Sequence, residues 1–380
     1  MPKVVFLSEI MTHYRVPFHE AVRELLARRE VSYELVYGQP DSSARKKRDA
    51  GSLDWAQEAT NVRPGALSGV VWQNAFSTAR RSDLVVMPQE NKFLLNYVLQ
   101  MLPGRSRPLL SFFGHGRNFQ SRNPNTPAER WKKIWATRCD WWFAYTEQTR
   151  DHLLSLGFPD ERITVFNNSI DTALLRADLA DVDPSSLSAK REQLGLSGRN
   201  VGVFIGGLYR DKRLDFLIDA ADRVRQRVPD FELIIAGAGP MEDDLREMVG
   251  SRTWIKLLGP RFGRDKAELL ALSKLFMMPG LVGLAILDAG SAGLPIVTTA
   301  FPWHSPEIAY LADGENGAMV EDWRSEDAYA AAVVDLLLDE DCRRRMSLRA
   351  HELSAGYTIQ SMAERFANGV LSTLDAGPLK

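Results

Sequence analysis

Three stretches of this chain place phosphate-binding and hydroxyl-binding residue types close together. In FIGGLYRDKRLDFLIDA (204–220) an apolar run enters Gly206 and Gly207, and Lys212 and Arg213 follow at a helix start. Glycines let a backbone approach a ligand, free N–H groups at a helix start face anions, and cations neutralise phosphate. A merely solvated lysine is the alternative reading. In IIAGAGPMEDDLREM (234–248) a strand pattern ends in Gly237-Ala238-Gly239-Pro240, which suits either a ligand loop or a tight turn set by packing. It does not fit the G-x-G-x-x-G dinucleotide fingerprint, because Met241 and Glu242 follow. In MMPGLVGLAILDAGSAGLPIVTT (277–299) a strand pattern ends at Pro279-Gly280, and a glycine-punctuated loop leads to a helix carrying Asp288. An ionised carboxylate there can accept from both ribose hydroxyls, and a capping aspartate would look the same.

Elsewhere the signals are more ambiguous. In SEIMTHYRVPFHEAV (8–22), His13, Tyr14 and Arg15 follow the first strand pattern. Arg15 suits an acceptor phosphate, or is a helix-entry residue paired with Glu20. RWKKIWATRCDWW (130–142) mixes cations with tryptophans, which suits a bilayer surface or a core-facing helix. ARKKRDAG (44–51) reads as a solvated loop or a lipid-headgroup contact. Asp181-Val182-Asp183 has no strand before it and reads as solvated, so no metal site is expected. Cys139 and Cys342 stand far apart without metal-ligand spacing, which supports neither a disulfide framework nor a zinc site.

Short aliphatic runs must position these residues. Strand patterns fall at Val4–Ser8, Ser32–Tyr37, Leu84–Met87, Leu109–Phe113, Trp142–Ala144 and Ile163–Phe166. A second series covers Val201–Ile205, Glu232–Ala236, Ile255–Leu258, Leu275–Met278, Ile296–Thr299 and Ala318–Val320. Segments with helical spacing, such as PFHEAVRELLARR and LDFLIDAADRVRQRV, lie between them. Such alternation predicts an α/β protein with parallel sheets covered by helices on both faces. The polar, proline-bearing ADLADVDPSSLSAKREQLG separates the two series and places a boundary near residue 180. Ligands of such sheets bind beyond the carboxyl ends of the strands, where the three glycine loops fall.

The chain of 380 residues is long enough for two cores, and its 45% hydrophobic and 25% charged residues are ordinary for a globular protein. Residues 1–176 carry 24 Lys and Arg against 18 Asp and Glu, and the remainder 23 against 31, balances of +6 and −8 that give the net −2. A basic first half suits an anionic partner such as a phospholipid surface or a lipid diphosphate. Two halves of opposite sign facing each other would give the same numbers. No stretch reaches 18 uninterrupted apolar residues, and MPKVVFLSEIMTHYR lacks a signal peptide's apolar run. A cytoplasmic protein, peripheral on the membrane face, is expected.

Segments 204–220, 234–240, 279–295 and EIAYLADGENGAMV (307–320) resemble, in order and spacing, the C-terminal domain of family-4 glycosyltransferases. RITVFNNSID (162–171) is similar to the turn closing the family's N-terminal domain, with Asn168 and Asp171 matching and Ser169 replacing a glycine. LLSFFGHGRN (109–118) resembles its strand ending in a histidine-glycine pair, and TIQSMAERFANGVLSTL its terminal helix. The resemblance implies a GT-B fold: two facing Rossmann-like domains with parallel sheets and an inter-domain cleft. It implies an acceptor-binding domain over 1–180, a donor-binding domain over 181–358, and a helix over 359–380 crossing back to the first.

The resemblance also implies an activity: a retaining, metal-independent transfer from a UDP- or GDP-sugar, with no other cofactor. The acceptor would be a glycan or lipid-linked intermediate of polysaccharide biosynthesis, with peripheral contact to the inner membrane and no nucleic acid. Lys212 would bind the donor diphosphate, Asp288 the ribose, and His115 would lie against the donor sugar. Gly206, Gly207, Arg210, Arg213 and Gly237 would complete the donor site from one side, and Gly280, Gly283 and Leu284 from the other. Tyr14 and Arg15 would meet the acceptor. Two departures stand out: Gly280 replaces the first of two carboxylates eight apart, and Gly207 replaces an arginine whose charge Arg210 or Arg213 can supply. They keep a non-catalytic subunit of a polysaccharide-assembly complex open as an alternative. An epimerase or phosphorylase on the same fold is a further rival, though no pyridoxal lysine can be placed. A Rossmann dehydrogenase is disfavoured, because no glycine fingerprint follows the first strand.

Overall fold

In the computed structural model, residues 1–40, 50–63, 69–104, 107–117 and 126–379 are described. Most of ARKKRDAG (44–51), and Asn118, lie outside them. The chain divides into two compact units, Met1–Ile170 with Ile359–Lys380, and Asp171–Thr358.

Unit 1 is built on strands β1 (Lys3–Ile10), β2 (Ser32–Gly38), β3 (Gln57–Ala59), β6 (Leu84–Pro88), β7 (Leu109–Gly114), β8 (Trp141–Ala144) and β9 (Ile163–Val165), with a separate antiparallel pair, β4 (Asn61–Val62) and β5 (Trp72–Gln73). The seven form one sheet ordered β3-β2-β1-β6-β7-β8-β9, all pairs parallel. Both faces are covered: alternate residues Val4 and Phe6 enter one apolar cluster, Val5 and Leu7 the other. Its helices include α1 (Val16–Ala27), α2 (Phe76–Arg80), α3 (Leu94–Gln100), α4 (Pro127–Ala136) and α5 (Glu147–Ser155).

Asp171 opens unit 2 by accepting from the backbone N–H of Leu174, capping α6 (Thr172–Ala180). Asp183 caps α7 (Pro184–Leu194) by accepting from the N–H groups of Ser185 and Ser186, so its carboxylate has a structural task. The parallel sheet runs β12 (Ile255–Leu258), β11 (Phe231–Ala236), β10 (Asn200–Ile205), β13 (Leu275–Met277), β14 (Ile296–Thr299), β15 (Gly317–Val320). Its helices are α8 (Leu214–Arg227), α9 (Glu242–Val249), α10 (Gly263–Ala271), α11 (Ala285–Ser291), α12 (Glu326–Leu338) and α13 (Glu340–Ser354).

The last helix, α14 (Ile359–Ala376), belongs to unit 1. Its Phe366 meets the rings of Phe6, Phe18, Phe143 and Phe166 at centroid distances of 4.4–6.0 Å. A Cβ at Gly369 would stand 2.5 Å from Thr164 Oγ1, so glycine lets the helix lie directly on β8 and β9. Arg162 donates to the Gly377 carbonyl at 2.6 Å. Among the described residues no helix is long and apolar enough to cross a membrane.

Candidate functional site

In unit 2 the chain leaves β10 toward β11 on one side and reaches β13 on the other, so strand order reverses between β10 and β13. Crevices at such reversals are where parallel sheets bind ligands. The loops after those two strands carry Gly206–Lys212 and Pro279–Leu284, and they touch. Leu281 N–H donates to the Asp211 carbonyl at 2.8 Å, and a Cβ at Gly280 would stand 2.2 Å from that oxygen. Gly280 therefore sits where this packing leaves no room for a carboxylate side chain. Gly237 and Gly239 have a similar cause: Cβ atoms there would meet the carbonyls of Gly206 at 1.9 Å and Leu208 at 2.3 Å. Their turn lies against the Gly206–Leu208 backbone, the packing alternative read from the sequence.

Lys212 ends a short 3-10 turn (Arg210–Lys212) with its amine inward, 5% exposed, donating to the Leu281 carbonyl at 2.5 Å. Burial lowers its pKa from 10.5 to about 7, against the opposing pull of Glu307 and Asp211. Arg213 turns elsewhere. Its guanidinium lies over Phe216 at 3.9 Å, Trp323 at 5.1 Å and Phe301 at 5.8 Å, and donates to the Trp323 carbonyl. Its φ is +55°, rare for a non-glycine residue. Arg210 stands exposed beside it.

The second loop is held from below by a histidine that sequence reasoning missed. His304 Nδ1 accepts from Val282 N–H at 2.9 Å, and Nε2–H donates to the Thr299 carbonyl at 2.8 Å. Those partners require the neutral ring, and burial depresses its pKa to about 4. Thr299 Oγ1 adds a bond to the Pro279 carbonyl at 2.7 Å. Gly283 and Leu284 continue the loop into α11, whose Asp288 forms an ion pair with Lys266 of α10 at 2.8 Å. Lys266 was also missed; its signal is a lysine in the first turn after β12.

Unit 1 has its own reversal, between β1 and β6. Beyond β1, Arg15 lies over the Tyr14 ring at 5.3 Å and the Tyr145 ring at 5.6 Å. His115, after β7, meets Tyr145 edge-on at 4.5 Å. Tyr145 thus joins Arg15 and His115, both picked out from the sequence, and its place just after β8 was the available signal. Arg15 faces Tyr145 and not Glu20. Glu9, at the end of β1, pairs with Arg63 at 3.0 Å and Lys92 at 2.6 Å, and was not anticipated. Among the described residues no group of three or more His, Cys, Asp or Glu is placed to hold a metal ion.

The family model of the glycosyl transferases group 1 matches residues 199–339, which span both loops of the unit 2 reversal. This segment is similar to the group 1 glycosyl transferases. The chain is also similar to an alpha-D-kanosaminyltransferase of Streptomyces kanamyceticus, 26% identical over 67% of this chain and 68% of that one. A GDP-mannose-dependent alpha-(1-6)-phosphatidylinositol monomannoside mannosyltransferase of Mycolicibacterium smegmatis is 31% identical over 50% of this chain and 51% of its own length. Among solved structures, Anabaena HepE in complex with UDP and glucose superposes with a TM-score of 0.72 at 18% identity, covering 98% of this chain and all of that one. A glycosyltransferase from Rickettsia africae reaches 0.73 at 12% identity, covering 99% of each. The chain has the GT-B fold of these structures.

Proposed function

We propose that this chain is a glycosyltransferase that takes a sugar from a nucleotide diphosphate sugar and passes it to a glycan or lipid-linked acceptor of polysaccharide biosynthesis. The observation that carries the reading is the paired loops at the unit 2 strand reversal, with the Lys212 amine buried between them. A diphosphate beside Lys212 would restore the amine's charge and use the exposed Arg210 as a second cation. The free N–H groups at the start of α8 would add positive potential. Asp288, oriented by Lys266, would accept from the ribose hydroxyls. Arg213 supports the loop through its aromatic cage.

In this reading His115 meets the donor sugar and Arg15 with Tyr14 the acceptor. Transfer retains anomeric configuration: the C1–O bond to the diphosphate breaks and the acceptor oxygen attacks from the same face. The departing phosphate oxygen takes the acceptor proton, and cations stabilise the leaving charge without a required divalent ion. Both UDP and GDP are candidate carriers, since HepE was solved with UDP and the mycobacterial relative is named GDP-mannose-dependent.

The test is incubation with a panel of UDP- and GDP-sugars, assaying nucleoside diphosphate release with and without chelator and the product's anomeric configuration. Release from one donor, unaffected by chelator and with retained configuration, is expected. Donor binding without release under any acceptor tried would favour a non-catalytic subunit, the reading that Gly280 in place of a carboxylate keeps alive. No binding of any nucleotide sugar would overturn both.

A further inference from the structure

The crevice at the unit 1 reversal, between β1 and β6, holds polar groups that Tyr14 and Arg15 leave without a role. Strand β1 is irregular there. Ser8 pairs with Tyr37 of β2 and Ile10 with Gly38, so Glu9 is an extra residue on β1. A bulge of this kind interrupts the alternation of a strand and re-aims a side chain, and bulges recur beside functional sites. Side chains of the β4–β5 pair hold the bulged backbone. Asn61 Nδ2 donates to the Glu9 carbonyl at 2.8 Å, and Gln73 Nε2 to the Ser8 carbonyl at 2.7 Å. Gly38 makes room for this, since a Cβ there would stand 2.3 Å from the Asn61 amide.

The bulged Glu9 reaches across the reversal. One carboxylate oxygen stands 3.0 Å from Arg63 Nη2, and the other 2.6 Å from Nζ of Lys92, just beyond β6. Lys92 also meets Glu90 at 2.9 Å. Burial would lower the Lys92 pKa, but Glu90 and Glu9 outweigh it and raise it, so the ammonium keeps its charge. Two carboxylates thus face two cations, and the group has no net charge. A phosphate would be repelled by Glu9 and Glu90, and an amine by Lys92 and Arg63. A neutral molecule whose hydroxyls both donate and accept suits all four. Capacity for it remains. A carboxylate offers about four lone-pair sites, and the described cations occupy two on Glu9. An ammonium has three donors, and Glu9 and Glu90 take two from Lys92. Both side chains reach solvent, Glu9 with 20% exposed and Lys92 with 34%.

We propose that Glu9 and Lys92 hold a neutral sugar ring of the acceptor, Glu9 accepting from adjacent hydroxyls and Lys92 donating to a further oxygen. Neighbouring hydroxyls on a sugar ring are spaced to share one carboxylate. Calling that sugar the acceptor rests on the transferase reading, whereas the binding itself does not.

The experiment is saturation-transfer NMR on the full chain with the methyl glycosides of glucose, galactose, mannose and N-acetylglucosamine, without any nucleotide. At least one hexoside should take up saturation, and Glu9→Gln and Lys92→Met should each cut that signal at least about fivefold. Tm should change little in either variant, because ion pairs this open contribute little to stability. Inorganic phosphate should not displace the hexoside. In the transfer assay, Glu9→Gln should raise the acceptor KM about tenfold and leave the donor KM unaltered. The proposal falls if no hexoside gives a signal that depends on Glu9, or if inorganic phosphate displaces it. It falls equally if the variants lose the signal only together with their thermal transition, which would make these ion pairs part of the scaffold. A chain that binds a hexoside through Glu9 but no nucleotide sugar would overturn the transferase reading and uphold this site.

Discussion

A buried amine whose desolvation outweighs the pull of nearby carboxylates is held at a cost, and Lys212 is such a group. Its folded pKa of about 7 lies below the unfolded value of 10.5. Between those two pH values the unfolded chain holds a proton that the folded chain has released, so stability rises with pH across that window. Lys212→Met should therefore raise the Tm most at about pH 6 and progressively less toward pH 9, as thermal melts at several pH values would read. A lower Tm for the variant throughout would mean that Glu307 holds the amine favourably. The same variant should weaken donor binding about ten- to a hundredfold, the worth of a charge-assisted phosphate contact. In the unaltered protein, donor affinity should fall as pH rises above about 7, with proton uptake on binding visible by calorimetry in two buffers. For Asp288→Asn we expect a loss of about 1–2 kcal/mol in nucleotide binding, and for Asp288→Glu retained activity. Lys266→Met should cost less in the Asp288→Asn background than alone, since the two side chains act as a pair. Lys212 and Asp288 were legible because charge after a glycine turn is a local pattern. Lys266 and His304 were not, because their meaning comes from segments 22 residues away meeting in space.

At the level of elements, the long strands announced themselves through aliphatic runs buried on both faces, as in Val201–Ile205. The short strands Gln57–Ala59, Asn61–Val62 and Trp72–Gln73 did not. They are two or three residues long and largely polar, and pairing alone makes them strands. RWKKIWATRCDWW also divides: Trp141 and Trp142 are core residues of β8, while Trp131 faces solvent on α4, so one motif serves both the core and the surface. The loop after β13 shows how tightly an element can constrain a residue. Gly280→Glu, which would restore the carboxylate usual in the resembled family, should destabilise the protein by more than about 2 kcal/mol without gain in turnover. A denaturant titration checks this, and a stable, faster variant would show that the loop rearranges readily. His304→Ala removes two hydrogen bonds beneath the same loop and should raise the donor KM more than it lowers kcat, since both ring nitrogens are engaged with backbone.

Across the whole molecule the unequal continuity of the two units matters more than their similar architecture. Unit 2 is one stretch, Asp171–Thr358, whereas unit 1 needs Ile359–Lys380 to finish it. A fragment of residues 171–358 should unfold cooperatively on its own. Residues 1–170 alone should bind a hydrophobic dye and aggregate, because the Phe6, Phe18, Phe143 and Phe166 side of the core has lost Phe366. Supplying residues 359–380 as a separate peptide should restore a melting transition, and a fragment that melts cooperatively without it would refute this. Translation runs against that architecture. The first half to leave the ribosome is the last to be completed, and must wait with an open aromatic face while the second half folds behind it. A stop codon within residues 359–376 would therefore injure the opposite end of the sequence, leaving unit 2 intact and unit 1 never closed.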